Sequence, residues 1–261
     1  MTPFMTLMRY EMKNITRDKM TMTMVVYPFM MVLFGAYLIP LILDQFNPSG
    51  ALSNATLIIM IVLASLGPLL AGAMLGFLLL DHKDENTLIS LRVTPVSLMN
   101  YLRFKSLYTA VLSSVSSVLI ILGVKYLSGD AYTVMGFNPW DEITVLNALV
   151  FSVISALFAP VFGVMIATLG ANKIEGFAYL KTLGILILIP ALVTLEAMQG
   201  WAQYFLGVVP TFWPVKGLLE GSNLLTNSAN LPSLVYSLIG LLYLVGLFAL
   251  LTRMFIRSVN R

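Results

Sequence analysis

Six mostly apolar stretches, 22–42, 57–80, 106–124, 143–169, 182–197 and 233–252, limit what this chain can become. A helix crossing about 30 Å of hydrocarbon needs about 20 such residues, and in that medium every backbone polar group must be satisfied within the protein. Composition agrees, because 59% of the 261 residues are hydrophobic and 10% are charged, against about 45–50% and about 25% in a soluble domain. The expected fold is an all-α polytopic membrane protein with six transmembrane helices, a single transmembrane domain over 1–261. Its first twenty residues, MTPFMTLMRYEMKNITRDKM, mix acids and bases and lack the short apolar core followed by small residues that marks a cleavable signal. The first span is therefore expected to stay as a signal-anchor.

Charge placement sets the expected orientation. Of the fifteen Lys and Arg residues, Arg9, Lys13, Arg17, Lys19, Lys83, Arg92, Arg103, Lys105, Lys173, Lys181, Arg253, Arg257 and Arg261 border one side of a six-span arrangement. Lys125 and Lys216 alone border the other. Positive residues collect on the cytoplasmic side, so both termini are expected there, in a cell membrane. That placement requires an even number of spans.

Several spans carry a signature of their own. At about 1.5 Å per residue the fourth would be roughly 40 Å long, more than the hydrocarbon thickness, so it must tilt or kink, and Pro160 is the expected kink. The fifth contains Pro190 and is followed by an apolar piece over 198–220 broken by Pro210 and Pro214. Too interrupted to cross alone, that piece is expected to form an interfacial or re-entrant hairpin on the outer side, with Trp201, Tyr204 and Trp213 in an aromatic belt. Gly72 and Gly76 form a small-xxx-small pattern that lets helices approach closely, within one chain or between two. In the third span, Ser106, Thr109, Ala110, Ser113, Ser116 and Ser117 gather on one small, mildly polar face, which either packs against a neighbour or lines a substrate path. Ser113, Ser117, Glu196 at the end of the fifth span and Trp213 are the candidates for a gate or path; Glu196 equally suits the interface.

Much chemistry is excluded. Cysteine is absent, which removes disulfides, thiol catalysis and cysteine-ligated metals. A single histidine, His82, gives no metal site by itself, and the third-span serines lack a nearby base for intramembrane hydrolysis. No Gly-Lys dipeptide occurs, so no P-loop can be drawn.

Two amphipathic pieces remain. Over 1–20, Phe4, Leu7, Met8, Met12 and Ile15 recur at helical spacing, with Arg9, Lys13 and Arg17 on another face, the pattern of a helix lying in the interface over anionic membrane lipid. After the second span the charges Asp81, Lys83, Asp84 and Glu85 lead into a short helix expected over 84–94. Asp84 suits its N-cap, Glu85 its first turn, Leu88, Leu91 and Arg92 follow at helical spacing, and Pro95 ends it by disfavouring helical Thr94.

The stretch KDENTLISLRVTPVSLMNYLRFKS resembles the cytoplasmic loop of export-type ABC transporter permeases of the second exporter class. The matching positions are Asp84, Thr87, Leu88, Leu91, Thr94, Pro95, Ser97 and Lys105; Asn86 stands where glycine is usual and Ile89 where an acid is common. The likeness extends over nearly the whole chain, from the leading amphipathic helix through six spans to the broken hairpin. It implies a coupling helix in which Asp84, Glu85, Asn86, Thr87, Leu88, Leu91, Arg92, Thr94 and Pro95 dock a cytosolic ABC ATPase. It also implies two ATPase copies, a second permease copy or paralogue, and a small-molecule or amphipathic substrate. No cofactor would sit on this chain, ATP and Mg being held by the ATPase, and no nucleic acid is expected. The alternatives are an ATPase-independent secondary transporter or channel, which would need ion-coupling charges within its spans, and a non-transporting immunity or sensory membrane protein.

Overall fold

The computed structural model describes residues 19–43, 45, 51–85, 98–134, 136–198, 200–225 and 231–259. Arg9, Lys13 and Arg17 of the expected interfacial helix lie outside the described residues. So do Asn86, Thr87, Leu88, Leu91, Arg92, Thr94 and Pro95 of the expected coupling helix. The described chain is 87% helical without a strand. Among the described residues, six helices are long and apolar enough to cross a membrane: Met22–Leu43, Asn54–Asp84, Leu98–Tyr132, Val145–Leu169, Lys173–Thr194 and Ser233–Val259. The protein is an integral membrane protein. Asp81–Glu85, Leu98, Leu169–Lys173 and Val259 mark one end of the bundle, here the charged end; Leu43, Tyr132 and Ser233 mark the other, the aromatic end.

The second and fourth spans form the centre, each 67% buried over its most apolar window, against 28%, 39%, 28% and 22% for the first, third, fifth and sixth. Small residues explain the contact between the two. A Cβ on Gly72 would lie 2.6 Å from the Ala159 carbonyl oxygen, and one on Gly163 would lie 2.7 Å from the Gly72 carbonyl oxygen. Backbones that close gain dispersion contacts, the main attraction between helices in lipid. The Gly72 and Gly76 pattern therefore serves packing within the chain, against the fourth span. Toward the charged end the core contains Leu75, Leu79, Phe158, Phe162, Leu244 and Phe255. Toward the aromatic end it contains Met60, Ile61, Ile120, Trp140, Phe151 and Phe212.

Prolines shape three spans. The fourth is interrupted between helices Val145–Ser155 and Phe158–Leu169. Ala156, at the break, is the residue whose carbonyl the ring of Pro160 would meet in an unbroken helix, and Pro160 itself is tolerated in the first turn of the resumed one. In the first span, Phe34–Leu38 widens into a π-turn, and the Ile39 N–H donates to the Phe34 carbonyl. Pro40 has no N–H for the Gly35 carbonyl, which instead accepts a hydrogen bond from the Tyr132 hydroxyl. The fifth span is α-helical over Lys173–Gly184 and then 3₁₀ over Ile185–Thr194, which contains Pro190. It begins at Lys173 rather than at 182, since its first turns carry Lys173, Glu175 and Lys181 and dilute the apolar signal. At about 1.5 Å and about 2.0 Å per residue the two parts together reach roughly 38 Å, ample for the hydrocarbon.

Candidate functional site

At the charged end, the run of charges closing the second span meets the turn between the fourth and fifth. Each contact follows from the helix ends it finds there. The fourth span stops at Gly170 with carbonyls left over, and Lys83 Nζ donates to the Gly170 carbonyl at 3.0 Å. A cation at a helix C-terminus is doubly favoured, by the bond and by the helix dipole. The fifth span starts two residues on. Asn172 is its N-cap, with Oδ1 accepting from the Glu175 N–H at 3.0 Å, while Glu175 Oε2 reaches back to accept from the Ala171 N–H at 2.9 Å. The pair resembles a capping box shifted by one residue, since Glu175 reaches the N–H before the N-cap rather than that of Asn172.

Two carboxylates from the second span complete the start of the fifth. Asp84 Oδ2 accepts from the Lys173 N–H at 3.3 Å, and Asp81 pairs with Lys173 Nζ at 2.5 Å. Lys173 and Asp81 are both partly exposed, so solvent screens their ion pair and it contributes little by itself. Its significance is geometric, because one short run ties the ends of the second, fourth and fifth spans together. The third span joins through Tyr101, whose hydroxyl shares a hydrogen bond of 2.7 Å with His82 Nδ1; Lys105 stands 6.0 Å from the centre of the Tyr101 ring. Glu85 is exposed at the margin of this cluster.

Asp84 and Glu85 thus stand where the sequence places the start of the docking segment, and Asp84 also serves the turn behind it. Lys173 escapes a reading of the sequence as anything but a flanking charge. GANKIEG, with a glycine stop and an Asn-x-x-Glu start, nevertheless shows where two helices abut.

The four gate or path candidates are not brought together. Ser113 and Ser117 are fully buried, their hydroxyls without hydrogen-bond partners among the described residues. A Cβ on Gly67 would come 2.7 Å from Ser117 Oγ, so this face packs on the second span. Glu196 is exposed just beyond the fifth span. Trp213 is half-buried in the short helix Phe212–Gly221, its Nε1 donating to the Gly207 carbonyl at 2.9 Å, with the Tyr204 and Tyr236 rings both 6.4 Å away. Beneath that aromatic cluster lies a buried ion pair, Lys216 Nζ to Glu220 Oε1 at 2.7 Å, one turn apart on the same helix. Burial pushes the Lys216 ammonium below its ordinary range, and the hydrogen bond and charge of Glu220 oppose that push.

Comparison with known proteins is consistent with this frame. The family described as fluoroquinolones export permease protein Rv2686c-like matches residues 11–252. Two curated relatives from Mycobacterium tuberculosis are named fluoroquinolones export permease protein MT2760 (strain CDC 1551 / Oshkosh) and Rv2686c (strain H37Rv). Each is 26% identical to this chain over 219 residues, which is 82% of this chain and 81% of theirs. No solved structure matches.

Proposed function

Given that the chain belongs to the Rv2686c-like family of export permeases, we propose that it is the membrane subunit of an ATP-driven exporter working as a pair of permease copies with two cytosolic ABC ATPases. ATP and Mg are held by those ATPases. The coupling segment is 84–94, reached by the ATPase from the cytoplasm, and the substrate is a compact amphipathic molecule such as a fluoroquinolone.

The observation that carries the coupling reading is the cluster at the charged end. Closure of the ATPases displaces the segment that begins at Asp84 and Glu85. A lone loop would pass that displacement only to the second and third spans that flank it. Lys83 on Gly170, and Asp81 and Asp84 on Lys173, extend it to the fourth and fifth. Four spans then shift as one body, which is what changing access across a membrane requires. Intramembrane ion-coupling charges, which a secondary transporter needs, are not what this cluster supplies; its charges sit at helix ends.

The test separates docking from transmission. Glu85→Ala, which leaves the internal contacts intact, is expected to weaken co-purification of the ATPase from mild detergent, and Asp84→Ala/Glu85→Ala to abolish it. Asp81→Asn and Lys83→Met are expected to keep the ATPase bound and hydrolysing while ATP-driven norfloxacin uptake into inverted vesicles falls at least fivefold. Normal assembly and uptake in the double alanine variant would overturn the docking assignment.

A further inference from the structure

Near the charged end, the third, fourth and sixth spans enclose an open groove of about 180 Å³ that the coupling scheme does not use. Its walls are apolar: Ala110 on the third span, Pro160 at the break in the fourth, and Leu244 and Phe248 on the sixth. Among the described residues Arg103 is its only charged lining residue, at the end nearest the bundle's polar edge. Ser106, one turn on, shares the wall with Arg103 and is 5% exposed; its hydroxyl has no hydrogen-bond partner among the described residues. Among those residues Arg103 also has no ion-pair partner.

We propose that this groove is the entry site for substrate arriving from the membrane, and that it selects flat aromatic molecules bearing a carboxylate. The inference rests on the transport reading above and adds to it the place and the chemistry of recognition. An Arg guanidinium presents parallel N–H donors that match a carboxylate bidentately. At the hydrocarbon edge, where the effective dielectric is low, that pairing is stronger than in water. Ser106 supplies a further donor for the same anion. The apolar walls and the Phe248 face take the ring body, which gains by stacking.

Size favours a compact ligand over a lipid. From Arg103 to Ala110 the groove runs about 10 Å, at about 1.5 Å per residue. That is the length of a two-ring acid with a short substituent, and less than the roughly 15 Å of acyl chain in one leaflet. The position also has a mechanical sense, because one wall is the broken part of the fourth span, whose far end is held by Lys83. Movement of the fourth span would deform the groove and expel what it holds.

The experiment uses the full-length permease with its ATPase in nanodiscs of zwitterionic lipid. Equilibrium dialysis measures binding of norfloxacin and of its decarboxylated analogue to the wild type, Arg103→Gln, Ala110→Trp and Val245→Trp; the two tryptophans fill the groove from opposite walls. Norfloxacin is expected to bind Arg103→Gln at least tenfold more weakly, while the analogue binds wild type and Arg103→Gln alike. Either tryptophan variant that still assembles is expected to lose both ligands. Equal norfloxacin binding by wild type and all three variants would overturn the groove as the site. Displacement of norfloxacin by added phosphatidylglycerol, with the lipid's own retention lost in Arg103→Gln, would overturn it too, by making the groove a lipid site. ATP-driven uptake in the same preparations keeps the two readings apart. Wild-type uptake with variant-insensitive binding refutes the groove alone. Arg103-dependent binding with no uptake supports the groove and refutes norfloxacin transport.

Discussion

Gly35 and Lys216 show how much a single polar atom matters inside this bundle. The Gly35 carbonyl loses its helical donor to Pro40 and is rescued by Tyr132 from the far end of the third span. Tyr132→Phe is expected to destabilise by about 1–3 kcal/mol, the penalty for a buried acceptor left bare. Thermal unfolding in detergent measures it, against Tyr126→Phe, an exposed tyrosine whose loss should change little. Lys216 is the complementary case. Glu220→Ala would leave a buried cation and cost about 3–5 kcal/mol, whereas replacing both partners by Met and Leu should be nearly neutral. With Glu220→Gln, the carboxylate charge that opposes the effect of burial is gone, so the folded pKa of Lys216 falls further below the unfolded one. The unfolded state then binds more protons, and stability should rise as pH goes from 7 toward 10, more steeply than in the wild type. The i, i+4 spacing of Lys216 and Glu220 is visible in the sequence. Their burial is not, because it comes from the sixth span, whose Tyr236 ring lies 5.7 Å from Lys216 Nζ.

At the scale of elements, the contact between the second and fourth spans is fixed by glycine. Gly72→Val and Gly163→Val drive side-chain atoms into facing backbone, and each is expected to destabilise by at least about 1–3 kcal/mol, the usual cost of overpacking. Gly246 on the sixth span is the control. A Cβ there meets nothing within 4 Å, so Gly246→Ala should be tolerated or slightly stabilising. Unfolding midpoints of the purified proteins decide both. The spans themselves are legible because about twenty apolar residues in hydrocarbon have few alternatives to a helix. The pairing of Gly72 with the fourth span is not legible, since a glycine pattern shows that something approaches closely and not what. Pro160 marks the break in the fourth span, displaced to Ala156 by the reach of its ring. The start of the fifth span is obscured by its polar first turns, although its capping residues are plain in GANKIEG.

The whole molecule has a testable orientation. With no native cysteine, single substitutions report cleanly: an impermeant maleimide is expected to label Glu196→Cys in intact cells and Glu85→Cys only in inverted vesicles. The reverse pattern would put the charged end out of reach of any cytosolic ATPase. The resemblance read from the sequence makes Asp84 and Glu85 the start of a handle for such a partner, at the end of the charged run from Asp81. It does not reveal that the same charges cap the fourth and fifth spans, because those helix ends lie far along the chain and meet only in the folded bundle. One feature of the fifth span sets how far it reaches. Ile185–Thr194 winds 10 residues as a 3₁₀ helix, stretched by about 0.5 Å each relative to an α-helix. Rewinding them would retract the span by about 5 Å, nearly one α-turn. Wound as they are, they set the helices that follow about 5 Å farther from Lys173 than an α-helix of the same count would set them.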